Sequence, residues 1–140
     1  MKNIAIILAG GIGARLGGST PKQLLPLQDG KSVLEHAVDA FEQSPHIDEI
    51  CIVMHPDYIM HAEQMLLANA WQKVRHIIPG GKERWESSVN AIRAFTPYTL
   101  HSTPITNLLL HDAARPFVSQ EIIANVCEAL KEHEAVVVAI

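Results

Sequence analysis

The chain has 140 residues, 48% of them apolar and 19% charged, with a formal charge of −4 and two cysteines. That length suits one domain with a single core, and the negative balance excludes nucleic-acid binding through a broad basic surface, though not a small cationic pocket for a phosphorylated metabolite. No apolar run approaches a membrane span, the run before Gly10 is too short for a signal-peptide core, and neither Cys51 nor Cys127 has a C-x-x-C partner, so a reducing cytoplasm and two buried thiols are expected.

Ile4 to Leu8 is apolar without alternation, the pattern of a strand covered on both faces. It stops at a loop with five glycines in nine residues, Gly10 to Gly18, followed by Pro21-Lys22-Gln23. Leu24 to Leu27 reads as extended and Asp29-Gly30 as a turn. Ser32 and Glu35 have the spacing of a capping box, opening a helix whose stripe is Val33, Leu34, Ala37, Val38 and Phe41 and which ends near Ser44-Pro45. Ile50 to Met54 is a second buried strand, halted by His55-Pro56. A helix follows from Tyr58 to Ala70, with Ile59, Ala62, Leu66 and Met65 inward. Val74 to Ile78 is a short strand closed by Pro79-Gly80-Gly81. Arg84 to Phe95 is a helix expected to bury Trp85, Val89, Ile92 and Phe95, and Pro97 to Thr106 is expected to be loop. Leu108 to Leu110 is the next strand, ending at His111-Asp112. A helix from about Ser119 to Glu132 should bury Ile122, Ile123, Val126 and Leu130, and Ala135 to Ile140 should form a last strand.

Strand and helix alternate at intervals too long for hairpins, which predicts βαβ units and a mostly parallel sheet in one three-layer α/β/α domain over residues 1–140. A chain closing on a buried strand is expected to be the amino-terminal part of a longer protein, its fold incomplete at the carboxyl end.

Ligands of open α/β sheets bind outside the carboxyl ends of the strands. Four segments fall there: Ala9 to Lys22, His55-Pro56, Gly80-Gly81-Lys82-Glu83-Arg84, and His111-Asp112-Ala113-Ala114-Arg115-Pro116. The first is neither a dinucleotide fingerprint, since Leu16 stands at the third glycine position, nor a Walker loop, since Ser19 follows Gly18 where lysine is needed. What is left is a glycine loop, including Gly10, Gly11 and Gly13, whose N–H groups can approach phosphate, with Arg15 and Lys22 placed to neutralise charge. Pro21 is expected to hold Lys22 on an extended segment. A glycine-rich turn with two surface cations is the plain structural alternative. Gly81, Lys82 and Ser87 mark a helix start that could receive an acceptor edge of a base or a phosphate, or else an ordinary connection with a solvated charge run. Asp112 could hold Mg²⁺ or a ribose hydroxyl, or simply cap a turn. The histidines lack zinc spacing, and no nucleophile elbow or reactive-cysteine context supports covalent catalysis.

The stretches Leu8 to Leu16, Pro21-Lys22-Gln23, Gly80 to Arg84 with Ser87, and His111 to Pro116 resemble those of the 2-C-methyl-D-erythritol 4-phosphate cytidylyltransferases, a branch of the sugar- and polyol-phosphate nucleotidyltransferases. The resemblance implies a Rossmann-like domain that reacts CTP with a polyol phosphate and releases pyrophosphate, using Mg²⁺ or another divalent cation. It implies that Arg15 and Lys22 are catalytic, that Ala9, Gly10, Gly11, Gly13, Gly81, Lys82 and Ser87 frame the nucleotide, and that Asp112 contacts ribose and metal with Arg115 close by. Lys82 departs from the family's aspartate, and a double glycine at Gly10-Gly11 also occurs in the ribitol 5-phosphate branch, which is the nearest alternative. The resemblance covers about the first three-fifths of a typical member. The remainder, in such proteins, supplies acceptor-binding residues, a further lysine and an arm that makes a homodimer. Were the 140 residues the whole protein, nucleotide binding with little turnover is expected, as for a non-catalytic nucleotide-binding module.

Overall fold

The computed structural model describes residues 1–11, 21–101 and 105–139, the side chains of 97–101 excepted. Among the described residues, four parallel strands, β1 (Lys2–Ala9), β2 (Glu49–Met54), β3 (Val74–Pro79) and β4 (Thr106–Asp112), form one sheet in the order β3-β2-β1-β4. The helices are α1 (Val33–Glu42), α2 (Ile59–Asn69), α3 (Arg84–His101) and α4 (Gln120–Ala129). Among the described residues no helix is long and apolar enough to cross a membrane.

The apolar strands are continuous because both faces are covered. Side chains alternate across a strand, so Ala5, Ile7, Ile50, Ile52 and Met54 join α1, α2 and α4 in one core, with Leu34, Ala37, Phe41, Ala62, Ile123 and Cys127. Ile4, Ile6, Cys51 and Val53 meet Ala91 and Phe95 of α3 on the other face. Each fully buried isoleucine contributes about 1.5–3 kcal/mol. α1 and α2 lie on one side and α3 on the other because winding reverses at β1. The chain adds β2 and β3 on one flank of β1, then returns to place β4 on its opposite flank.

Local signals act as the sequence suggests around α1. Ser32 Oγ accepts from the Glu35 N–H at 3.1 Å while Glu35 Oε1 accepts from the Ser32 N–H at 3.0 Å, and Gly30 turns the chain at φ 85°. Several expectations fail. Lys22–Leu24 forms a 3-10 turn in place of an extended lead-in, because Leu24 and Leu25 donate back to Pro21 and Lys22. α3 is rotated from the expected stripe and buries Ser87, Ala91 and Phe95, leaving Trp85 65% and Ile92 45% exposed. Small residues must face the sheet there, since Ser87 lies directly against Gly10 and Gly80. α3 also continues through Pro97 to His101, where loop was expected, with the Thr96 hydroxyl bonded to the Ile92 carbonyl at 2.9 Å. Finally, residues 135–139 are not a strand: they pass β4 without ladder bonds, a cleft of about 540 Å³ lies between, and Val137 is 88% exposed. α4 differs in one position, burying Ile123 and Cys127 while Ile122 is exposed.

Candidate active site

β1 and β4 are neighbours that diverge in connection, and the crevice between their carboxyl ends is the switch point where such sheets bind ligands. The register sets Leu8 beside Asp112, and the Ala113 N–H donates to the Leu8 carbonyl at 3.0 Å, extending the pairing past the last strand residue. A cavity of about 230 Å³ opens here. Ala9 at the end of β1 with Gly10 and Gly11 after it, Lys22 and Gln23, Gly81, Lys82, Glu83, Arg84 and Ser87 around the start of α3, and Asp112 to Ala114 line it.

The glycines have separate reasons. A Cβ on Gly10 would stand 2.8 Å from Ser87 Oγ, and one on Gly80 would stand 2.7 Å from the same oxygen and 3.3 Å from Gly10 Cα. These two therefore let β1, β3 and α3 approach closely. A Cβ on Gly81 would meet Glu86 Cβ at 2.3 Å. Gly11 meets nothing within 4 Å. Of the described glycines in this site, it is the one whose main chain faces open space. Ser87, 3% exposed, accepts from the Gly81 N–H at 3.1 Å, and Lys82 N–H donates to Glu86 Oε2 at 3.2 Å. A hydroxyl that accepts one hydrogen bond keeps its own proton to donate.

Charge in the lining favours an anion: Lys22, Lys82 and Arg84 stand against Glu83 and Asp112. Lys22 opens its 3-10 turn directly after Pro21. Gln23, buried, donates from Nε2 to the carbonyls of Ala9, at 2.8 Å, and Gly11. Asp112 is held on both oxygens, Oδ1 accepting from the Ala114 N–H at 3.0 Å and Oδ2 pairing with Arg84 Nη1 at 3.1 Å. Arg84 is 72% exposed, so this pair is readily opened. One carboxylate on the rim of this cavity fits Mg²⁺, which commonly takes one or two protein oxygens and completes its shell with substrate phosphates and water. Among the described residues no group of three His, Cys, Asp or Glu side chains could hold a metal alone.

The structure thus brings Ala9, Gly10, Gly11, Lys22, Gly81, Lys82, Ser87 and Asp112 to one cavity. Gly13 and Arg15 lie outside the described residues. Arg115 does not line this cavity; it borders an adjoining cleft with Arg84, His111 and Asp112, and its N–H bonds to the Asp112 carbonyl at 3.0 Å. His111 points away, its ring bonded to the Arg115 carbonyl at 2.8 Å and packed 5.0 Å from Phe41, and burial pushes its pKa down. Gln23 and Arg84 carry contacts to which the sequence assigned no role, although both stand inside the motifs Pro-Lys-Gln and Gly-Gly-Lys-Glu-Arg.

The family profile described as 2-C-methyl-D-erythritol 4-phosphate cytidylyltransferase (IspD) matches residues 3–140. The protein of that description from Thermobifida fusca (strain YX) is 43% identical over 136 residues, covering 97% of this chain and 53% of its own length. The bifunctional ribulose 5-phosphate reductase/CDP-ribitol pyrophosphorylase of Haemophilus influenzae is 42% identical over 140 residues, covering 99% of this chain and 28% of its own. A crystal structure of 4-diphosphocytidyl-2C-methyl-D-erythritol synthase superposes with a TM-score of 0.74 at 30% identity, over 94% of this chain and 55% of that one. The chain therefore spans about half the length of the first and third of these relatives. It belongs to the 2-C-methyl-D-erythritol 4-phosphate cytidylyltransferase family.

Proposed function

We propose that this chain forms the CTP site of an enzyme that transfers a cytidylyl group to 2-C-methyl-D-erythritol 4-phosphate and releases pyrophosphate. The observation that carries this reading is the meeting of Gly10 and Gly11, three cations and two carboxylates in one cavity at the β1/β4 switch point. An oxygen of the acceptor's phosphate attacks the α-phosphorus of CTP in line, the bond to the bridging β-oxygen breaks, and pyrophosphate leaves with that electron pair. A phosphate monoester is largely dianionic at neutral pH, so the nucleophile needs no general base. The protein's work is then positioning and charge neutralisation. Lys22, with Arg15, stabilises the charge on the α-phosphate and on the leaving group. Lys82 and the backbone of Gly81 border the base and ribose, and the Ser87 hydroxyl donates to a base carbonyl. Mg²⁺ held by Asp112 would neutralise the triphosphate, and Arg84 would be released from Asp112 to face it. Arg115 would support that arrangement from the adjoining cleft. The enzyme acts in the cytoplasm, and it forms a homodimer if the full-length protein carries the family's arm.

Ribitol 5-phosphate is the second acceptor to consider, favoured by the Haemophilus influenzae relative named a CDP-ribitol pyrophosphorylase. The full-length protein incubated with CTP, Mg²⁺ and each polyol phosphate in turn is expected to release pyrophosphate with the methylerythritol substrate. Release only with ribitol 5-phosphate replaces the acceptor. Release with ATP or UTP but not CTP overturns the cytidylyl reading, and nucleotide binding without release under any pairing leaves a non-catalytic module.

A further inference from the structure

The Gln23 side chain is buried, at 7% exposure, yet it reaches back across fourteen and twelve residues to two carbonyl groups at the end of β1 and just past it. Both bonds leave one nitrogen. A carboxamide is a neutral group that carries two N–H donors on a single atom, and here each takes one carbonyl, Ala9 at 2.8 Å and Gly11. Ala9, Gly11 and Gln23 all line the cavity. Carbonyl oxygens carry partial negative charge, and left bare in an anion site they would repel phosphate. In a planar trans peptide the N–H points opposite the C=O, so fixing the Ala9 carbonyl on Gln23 directs the Gly10 N–H to the other side of the same peptide plane.

Resting on the CTP reading above, we infer that Gln23 is a positioning residue for the donor's phosphates. Its carboxamide neutralises the carbonyls of Ala9 and Gly11, fixes the peptide orientation at the start of the glycine loop, and ties that loop to the turn that presents Lys22. Its contribution therefore falls on the phosphate part of the ligand and not on the base. Methionine at this position keeps the bulk and removes both donors, while glutamate keeps the shape and sets a carboxylate against two carbonyls.

The test compares Q23M and Q23E with the unmodified protein for binding of CTP, inorganic triphosphate and cytidine in the presence of Mg²⁺, alongside the thermal midpoint. Losing two hydrogen bonds should weaken CTP and triphosphate about tenfold in Q23M, and about a hundredfold in Q23E, with cytidine affinity unchanged. The Ala9 and Gly11 carbonyl ¹³C resonances of Q23M should shift while those of β2 stay in place. Should Q23E fail to fold, Q23M decides alone. Triphosphate affinity in Q23M equal to that of the unmodified protein overturns the inference, as does an equal loss for cytidine and triphosphate, which would mean a merely structural role. No triphosphate binding by the unmodified protein overturns it as well. Triphosphate binding with ATP and UTP as tight as CTP overturns the cytidylyl reading and leaves Gln23 standing.

Discussion

Lys22 carries the aliphatic ammonium that the Pro21-led turn delivers to the cavity, and its worth can be read from a truncation. If it stabilises charge that grows only in the transition state, Lys22→Ala should lower turnover of the full-length enzyme by about 10²–10³-fold with a smaller change in CTP affinity. Full activity in that variant would remove Lys22 from the mechanism. The residue types at this site were legible because glycine clusters and cations beside strand ends have few other uses. Their partners were not. Nothing in the spelling of Pro-Lys-Gln says that the glutamine side chain bonds two carbonyls fourteen and twelve positions back, since that is a property of the folded path and not of local propensity. Trp85 shows the reverse error. It is large and apolar, so burial was the expectation, but the inward face of α3 has no room for it and it stands 65% exposed.

The elements of the sheet were read from their composition with little loss, because a strand buried on both faces needs an unbroken apolar run and few other structures do. The rotation of α3 was harder, since its apolar residues at 85, 89 and 92 are helical in spacing, yet Trp85 and Ile92 face away and Val89 is half-buried. Contact with Gly10 and Gly80 decides the orientation, and those glycines lie on other segments. Gly80→Ala tests that contact. Its new methyl would stand 2.7 Å from Ser87 Oγ, 3.3 Å from Gly10 Cα and 3.4 Å from Val53 Cγ1. The overpacking should cost about 1–3 kcal/mol, read from a denaturation midpoint, and weaken CTP binding together with it. A Gly80→Ala protein as stable as the parent would mean that β1, β3 and α3 are not closely joined at this point. Residues 135–139 misled for a different reason: valines favour strands, but a strand also needs a partner's ladder, and β4 makes none with them.

Across the whole molecule, the two thiols sit in opposite layers. Cys51 is buried between the sheet and α3, and Cys127 lies under α4 against the other face. Burial pushes Cys51 up to about 12 and raises Cys127 as well, so both remain protonated and unreactive at pH 8 in the folded state. The sign follows from linkage: a thiol whose folded pKa lies above its ordinary 9.0 holds its proton better when folded, so its stabilising effect fades as pH rises from about 9 towards 12. Alkylation at pH 8 should therefore report unfolding. Cys51, at the centre of the sheet, should react only at the global denaturation midpoint, whereas Cys127 should react earlier through fraying of α4 at the margin. Equal, rapid reaction of both in native buffer would contradict the layered core. The switch-point position of the cavity also has a kinetic side. Leu8 and Asp112 are neighbours in space but lie over a hundred positions apart, so their meeting closes one of the longest loops in the chain. β1, β2 and β3 can assemble with α1 and α2 before that happens, and a chain emerging from the ribosome can fold that much while still unable to hold a nucleotide. Ligand affinity in this fold is accordingly a late acquisition, gained when β4 docks and not when the core first forms.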